Sequence, residues 1–132
     1  MKTTHTANYL IIDVFDALAH PSRLEILDLL RDGEACVCHI QAMLNQRQAY
    51  ISQHLNVLRH AGLVSSRKDG LRVYYQISDV QLYDVIDGVK AFLQSTGQWQ
   101  PEDVENKHLK LPCSCPQCAE KQPLVQLEAS HA

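Results

Sequence analysis

No stretch of this chain stays apolar long enough to cross a membrane, and the first residues, Met1-Lys2-Thr3-Thr4-His5, lack the apolar core of a secretory signal. Both absences predict a protein that stays in the cytoplasm and has no membrane partner. An internal repeat is also missing. So is a positive balance: the formal net charge is −3, the wrong sign for a nucleic-acid partner if charge were spread evenly. In a reducing compartment structural disulfides are disfavoured too, so the 5 cysteines point to metal or redox chemistry. What is present is a chain of 132 residues with 45% hydrophobic side chains. That suffices for one globular domain with a small core and argues against extended disorder.

The organising stretch runs from Asn45 to Gly62. Ile51, Leu55 and Leu58 fall at i, i+4 and i+7, one stripe of a helix. Gly62 stands where a helix C-cap is expected. The opposite face carries Gln48, Ser52, Gln53, Asn56 and Arg59, whose amides, hydroxyl and guanidinium can pair with base edges or phosphates. A short amphipathic segment, His39 to Leu44, precedes this helix across a turn at Asn45 and Gln46. Two helices joined so tightly predict a helix-turn-helix.

After Gly62 come Leu63 to Arg67, then Lys68-Asp69-Gly70, then Leu71 to Ile77. β-Branched and aromatic residues on both sides of an Asp-Gly turn predict a hairpin, and a hairpin directly after a recognition helix is a wing. Between Asn45 and Tyr75 the positive residues Arg47, Arg59, Arg67, Lys68 and Arg72 face Asp69 alone. Local field governs phosphate contact, so the overall negative charge does not exclude DNA. A patch this modest also implies that affinity comes from a dimer.

Four segments together resemble the ArsR/SmtB family of bacterial winged-helix repressors that sense metals and metalloids. They are L-A-H-P-S-R-L-E-I-L-D-L-L at Leu18–Leu30, C-V-C at Cys36–Cys38, Y-I-S-Q-H-L-N-V-L-R-H-A-G-L-V at Tyr50–Val64 and K-D-G-L-R-V-Y-Y at Lys68–Tyr75. The resemblance covers about half the chain. It implies a mainly α fold with a small β-hairpin (α+β), a dimeric winged helix-turn-helix that represses transcription and is not an enzyme. It also implies that the first and last helices of two protomers form a dimer interface. A two-fold homodimer would match double-stranded operator DNA arranged as an inverted repeat.

The flanking helices are legible from periodicity. Asn8 to Leu18 has Leu10, Ile11, Val14, Phe15 and Leu18 on one stripe, with Asp13 and Asp16 on the wet side. Pro21 opens a second helix, whose Leu24, Ile26, Leu27, Leu29 and Leu30 predict the buried centre of the domain. From Asp79 to Thr96 a last helix is expected, with Asp79 as N-cap, Leu82, Tyr83, Ile86, Val89, Lys90 and Leu93 on one stripe, and Gly97 as its stop. Residues 1–97 therefore read as the DNA-binding and dimerisation domain. Residues 98–132, with Pro101, Pro112, Pro116 and Pro123 and little periodicity, read as a mostly flexible tail.

The cysteines fall in two clusters, Cys36 with Cys38 at the start of the helix-turn-helix, and Cys113, Cys115 and Cys118 in the tail. Thiolates are the ligands of soft ions such as Cd(II), Pb(II) and Zn(II), and As(III) or Sb(III) shares that preference. A helix start also favours negative charge. In the family, the pair at this position forms the core of a thiolate site, and Cys36 and Cys38 match it. Two departures stand out: His39 replaces the aspartate after the second cysteine, and Gln41 replaces a third cysteine. The final helix has Asp79, Asp84 and Asp87 but lacks the family's zinc-binding histidine. Three readings remain open. One is an inducer site for a thiophilic metal(loid) at Cys36 and Cys38, completed by tail thiols. Another is a structural zinc at His108, Cys113, Cys115 and Cys118. The third is a redox or persulfide sensor. A thiol enzyme or metal carrier is disfavoured, because the strand–helix pattern of a thioredoxin-like fold is missing around Cys115-x-x-Cys118.

For DNA, the candidates are Tyr50, Ser52, Gln53 and Asn56 in the major groove, and Arg47 and Gln48 near phosphates at the helix start. Arg59 would hold the backbone, while Arg67, Lys68 and Arg72 anchor the wing. His54 is counted with them, either contacting DNA or packing against the preceding helix. His20, before Pro21, reads as structural.

Overall fold

The structure is a computed structural model that describes residues 2–101, with side chains from residue 7 onward. Its elements run α1 (Lys2–Leu18), α2 (Pro21–Leu29), a 3₁₀ turn (Leu30–Asp32), β1 (Ala35–Cys36), α3 (Val37–Leu44), α4 (Gln48–His60), β2 (Val64–Asp69), β3 (Arg72–Ile77) and α5 (Gln81–Ser95). No helix among the described residues is long and apolar enough to cross a membrane.

Local chemistry explains where the helices begin and end. Pro21 opens α2, and the His20 side chain caps it by accepting the Ser22 N–H on Nδ1 at 3.1 Å. The structural reading of His20 is thereby borne out. Between α3 and α4 the chain turns at Asn45, whose φ of 53° and ψ of 47° are left-handed, a conformation that asparagine tolerates better than most residues. At the far end of α4, Gly62 has φ 78°. Its N–H donates to the Arg59 carbonyl and the Leu63 N–H to the Leu58 carbonyl, both at 2.9 Å. This pair of bonds closes the helix in a Schellman motif. At α5 the N-cap is Val80 rather than the expected Asp79, which lies one residue earlier and accepts the Gln81 N–H on Oδ1 at 2.9 Å.

The core is built from the helix-turn-helix and the helix before it. Ile26, Leu27, Leu30, Ile40, Ile51, Leu55 and Leu58 are fully buried. They come from α2, the 3₁₀ turn, α3 and α4, so the orientation of α4 is set by apolar packing. Leu55→Ala is expected to lower unfolding stability by about 2–5 kcal/mol, as for other buried leucines; urea unfolding followed by circular dichroism measures it.

Two features depart from the expected arrangement. A third strand is present: β1 adds to the hairpin in the order β1-β3-β2, all antiparallel, pairing Ala35 with Tyr75 and Cys36 with Tyr74. Also, the apolar stripes of α1 and α2 are only partly buried. Ala17 is buried and Val14 and Leu18 are half-buried, but Leu10, Ile11 and Phe15 stay exposed, as does Leu24. On α5, Tyr83 is buried, while Val85, Val89 and Phe92 are exposed. Both outer helices therefore keep an apolar face that the described residues do not cover.

α5 is fastened to α2 by a polar cluster. Tyr83 donates its hydroxyl to the Leu27 carbonyl at 2.6 Å, and the Arg31 guanidinium lies 4.3 Å from the Tyr83 ring centroid. Arg31 also bridges Asp87 through two N–H groups.

Candidate nucleic-acid interface and thiol pair

Because Ile51, Leu55 and Leu58 point into the core, the opposite face of α4 is turned outward. Gln48, Gln53, Asn56 and Arg59 are exposed on it, Ser52 is half-buried, and Arg47 is exposed at the N-cap. Arg59 donates to the Asn56 side-chain oxygen at 3.3 Å, so these two are presented as a unit. Tyr50 is half-buried, its hydroxyl 2.9 Å from that of Ser22 on α2.

His54 requires a correction. Grouped with the DNA-facing candidates from sequence, its side chain is only 7% exposed. It packs against the rings of His20 and Tyr50, at centroid distances of 4.3 and 4.5 Å. The position explains this: Ile51, His54, Leu55 and Leu58 are at i, i+3, i+4 and i+7, the inward stripe itself.

Burial holds the His54 pKa below its ordinary value, with further lowering from nearby His20 and Arg23. Its Nδ1 has no hydrogen-bond partner among the described residues. A folded-state pKa below the unfolded value means that the unfolded chain binds the extra proton. The stabilising preference for neutral His54 is therefore fully present above about pH 6.5 and is lost as pH falls toward the folded value. His54→Phe is expected to flatten the loss of stability between pH 7 and 5 relative to the unaltered chain, measured by urea midpoints across that range.

The wing is the β2–β3 hairpin, with Asp69 paired to Arg72. Its loop is the two residues Gly70 and Leu71, one position beyond the expected Asp-Gly turn, and Gly70 has φ 61°. A glycine at the first central position suits a two-residue hairpin loop with positive φ there. Lys68 is exposed and Arg72 half-buried. Leu71, which sequence reasoning passed over, is fully exposed at the tip. Arg67 does not project freely: it donates two hydrogen bonds to the Glu34 carboxylate and lies over the Tyr74 ring at 4.8 Å.

The thiol pair is held at the junction of β1 and α3. Cys36 is buried and extended, with φ −76° and ψ 155°, and is the N-cap of α3. Its sulfur accepts the His39 N–H at 3.4 Å. Cys38, the second residue of the helix, is exposed, and its Sγ stands 2.6 Å from that of Cys36; the two are not joined in a disulfide. Two neighbouring sulfurs, one open to solvent, could supply two thiolate ligands to a soft ion. A tetrahedral or pyramidal site needs more. Among the described residues, no three His, Cys, Asp or Glu side chains are grouped to hold a metal. The expected partners Cys113, Cys115 and Cys118, like His108, lie outside the described residues. On α5, Asp87 is engaged by Arg31, which lowers its pKa.

Residues 20–66 match the family model described as bacterial regulatory protein, arsR family. An uncharacterized HTH-type transcriptional regulator of Methanocaldococcus jannaschii is 43% identical over 75 residues, 56% of this chain and 84% of that protein. An arsenical resistance operon repressor of Staphylococcus aureus is 38% identical over 76 residues, 58% of this chain and 73% of the relative. Among solved structures, the homodimeric winged helix-turn-helix DNA-binding domain Mb0332 of Mycobacterium bovis superimposes with a TM-score of 0.68 at 28% identity. That likeness covers 76% of this chain and 94% of that one.

Proposed function

This chain belongs to the ArsR/SmtB family of winged-helix transcriptional repressors, and from that premise we propose that it releases its operator when a thiophilic metal(loid) binds Cys36 and Cys38. A DNA-binding regulator rather than an enzyme is what the family supplies. The inducer is this chain's own question. The observation that carries the reading is the proximity of two cysteine sulfurs at the start of the first helix of the reading unit.

Chemistry narrows the ion. Two thiols favour As(III), Sb(III), Cd(II) or Pb(II) over harder ions. The tail cysteines Cys113, Cys115 and Cys118 are the proposed source of the remaining ligands, from the same protomer or its partner. The name of the Staphylococcus aureus relative, an arsenical resistance operon repressor, favours the metalloid end of this range.

In the DNA-bound homodimer, Gln48, Ser52, Gln53 and Asn56 of each α4 would read one major groove of an inverted repeat. Tyr50 would support the helix from α2 while its ring edge lies near the groove. Arg47 and Arg59 would hold phosphates, and Lys68, Arg72 and Arg67 would serve the wing. Cys36 and Cys38 would hold the ion, and fixing their sulfurs would restrain the start of α3 and shift population away from the DNA-competent arrangement. A coupling of about 2–3 kcal/mol corresponds to a 30- to 150-fold loss of affinity.

The test is fluorescence anisotropy of the reduced, full-length protein on a labelled duplex from the region upstream of its own gene, titrated separately with arsenite, Cd(II), Zn(II) and a polysulfide. Release by arsenite or Cd(II) alone supports the reading and names the ion class. Release by polysulfide or oxidant alone favours the second reading, a redox switch, to which the same sulfur–sulfur contact also lends itself. Absence of DNA binding overturns both.

A further inference from the structure

Glu34 lies two residues before Cys36, yet its carboxylate is on the wing. The sheet explains the placement. Cys36 of β1 pairs with Tyr74 of β3, and Tyr74 pairs in turn with Arg67 of β2. Side chains follow the same line. Cys36 and Tyr74 form a small buried cluster of their own, with Ala42 packed against it. The Arg67 guanidinium lies over the Tyr74 ring at 4.8 Å. From there it donates to Glu34, Nε to Oε2 at 3.2 Å and Nη2 to Oε1 at 2.5 Å. Its remaining nitrogen, Nη1, is 3.7 Å from Asp69. The thiol pair and a wing cation are thus the two ends of one continuous chain of contacts.

We propose that Glu34 is a positioning residue that withholds Arg67 from the DNA backbone, and that an ion on Cys36 and Cys38 stabilises this withheld state. The proposal rests on the repressor reading above and assigns its regulation a route through the wing. An arginine fork satisfies either a carboxylate or a phosphate with the same pair of N–H donors, and not both at once. Arg67 and Glu34 are 48% and 32% exposed, and pairs so open to water are weak enough to exchange. Glu34 directly precedes β1, a strand of only two residues. An ion that fixes the Cys36 sulfur fixes that strand, the Tyr74 ring packed on it, and the carboxylate facing Arg67. DNA binding requires Arg67 to leave Glu34, so ion and DNA oppose each other through the same pair.

The experiment measures affinity of the reduced, full-length protein for the labelled upstream duplex across a series of KCl concentrations, with and without arsenite or Cd(II). The proteins are the unaltered chain, Glu34→Gln, Arg67→Ala and the double variant. Glu34→Gln is expected to bind several-fold more tightly without the ion. Its log–log salt slope should steepen by roughly 0.9 per protomer, one additional phosphate contact, and ion-driven release should shrink several-fold. Arg67→Ala should bind more weakly with a shallower slope, and Glu34→Gln should add nothing in that background. A change in stability alone does not move a salt slope. Independent effects of the two substitutions, or an unchanged slope in Glu34→Gln, overturn the proposal. If the slope changes as expected but no ion releases the unaltered protein, the withholding role stands and the sensor reading fails with its coupling. If the unaltered protein does not bind the duplex at any salt, both fall.

Discussion

Cys36→Ser is expected to bind operator DNA with the affinity of the unaltered chain and to remain bound when arsenite or Cd(II) is added, a loss of the full 30- to 150-fold response that a coupling of about 2–3 kcal/mol provides. The structure favours serine for this test. Cys36 is the N-cap of α3, and its sulfur accepts the His39 N–H. A serine hydroxyl is among the strongest acceptors for that position, so the new polar group is satisfied where it is buried and the start of α3 is kept. Serine is a poor ligand for soft ions, so only coordination is removed. Cys38→Ser, at an exposed site, should give the same result at still smaller structural cost. Anisotropy titrations with and without ion read both variants. Should either variant lose DNA binding while remaining folded, the pair belongs to the DNA-binding architecture and the sensor assignment falls.

The parts of this fold that were legible in the sequence are those set by local periodicity. Ile51, Leu55 and Leu58 announced α4 and its outward face, Pro21 announced the start of α2, and the basic hairpin announced the wing. The same stripe also held the information that decides between the two readings of His54, since i+3 from Ile51 is an inward position. β1 could not be read, because two residues carry no alternation and the strand exists only by pairing with β3. The Glu34–Arg67 pair was hidden for a related reason. Its members are 33 positions apart and meet only after three strands assemble. The thiol pair was legible as a motif, while its contact distance and its capping bond required coordinates. How far α1 is buried was not legible, because a helical stripe shows that a face is apolar without showing which chain covers it.

That uncovered face carries the second large effect. On α1, Leu10, Ile11 and Phe15 are 61%, 48% and 55% exposed, and on α5 Val89 and Phe92 are 52% and 62% exposed. Large apolar side chains grouped on two outer helices mark an interaction surface, and burying each stabilises an assembly by about 1.5–3 kcal/mol. The homodimeric Mb0332 domain, which shares the fold, supports a second copy of this chain as the occupant. Phe15→Asp combined with Phe92→Asp places two charges per protomer in that interface, where desolvating them is unfavourable. Both side chains are exposed in the protomer, so the fold itself should survive and far-ultraviolet circular dichroism should be unchanged. Sedimentation is expected to show monomers, and affinity for a duplex with two half-sites should fall by about 100-fold or more, because the second recognition helix no longer binds as part of one assembly. A duplex with a single half-site should show far less difference between the two proteins. That contrast separates loss of the dimer from damage to α4: equal losses on both duplexes place the fault in the recognition helix, and a dimer that persists with both aspartates places the interface elsewhere.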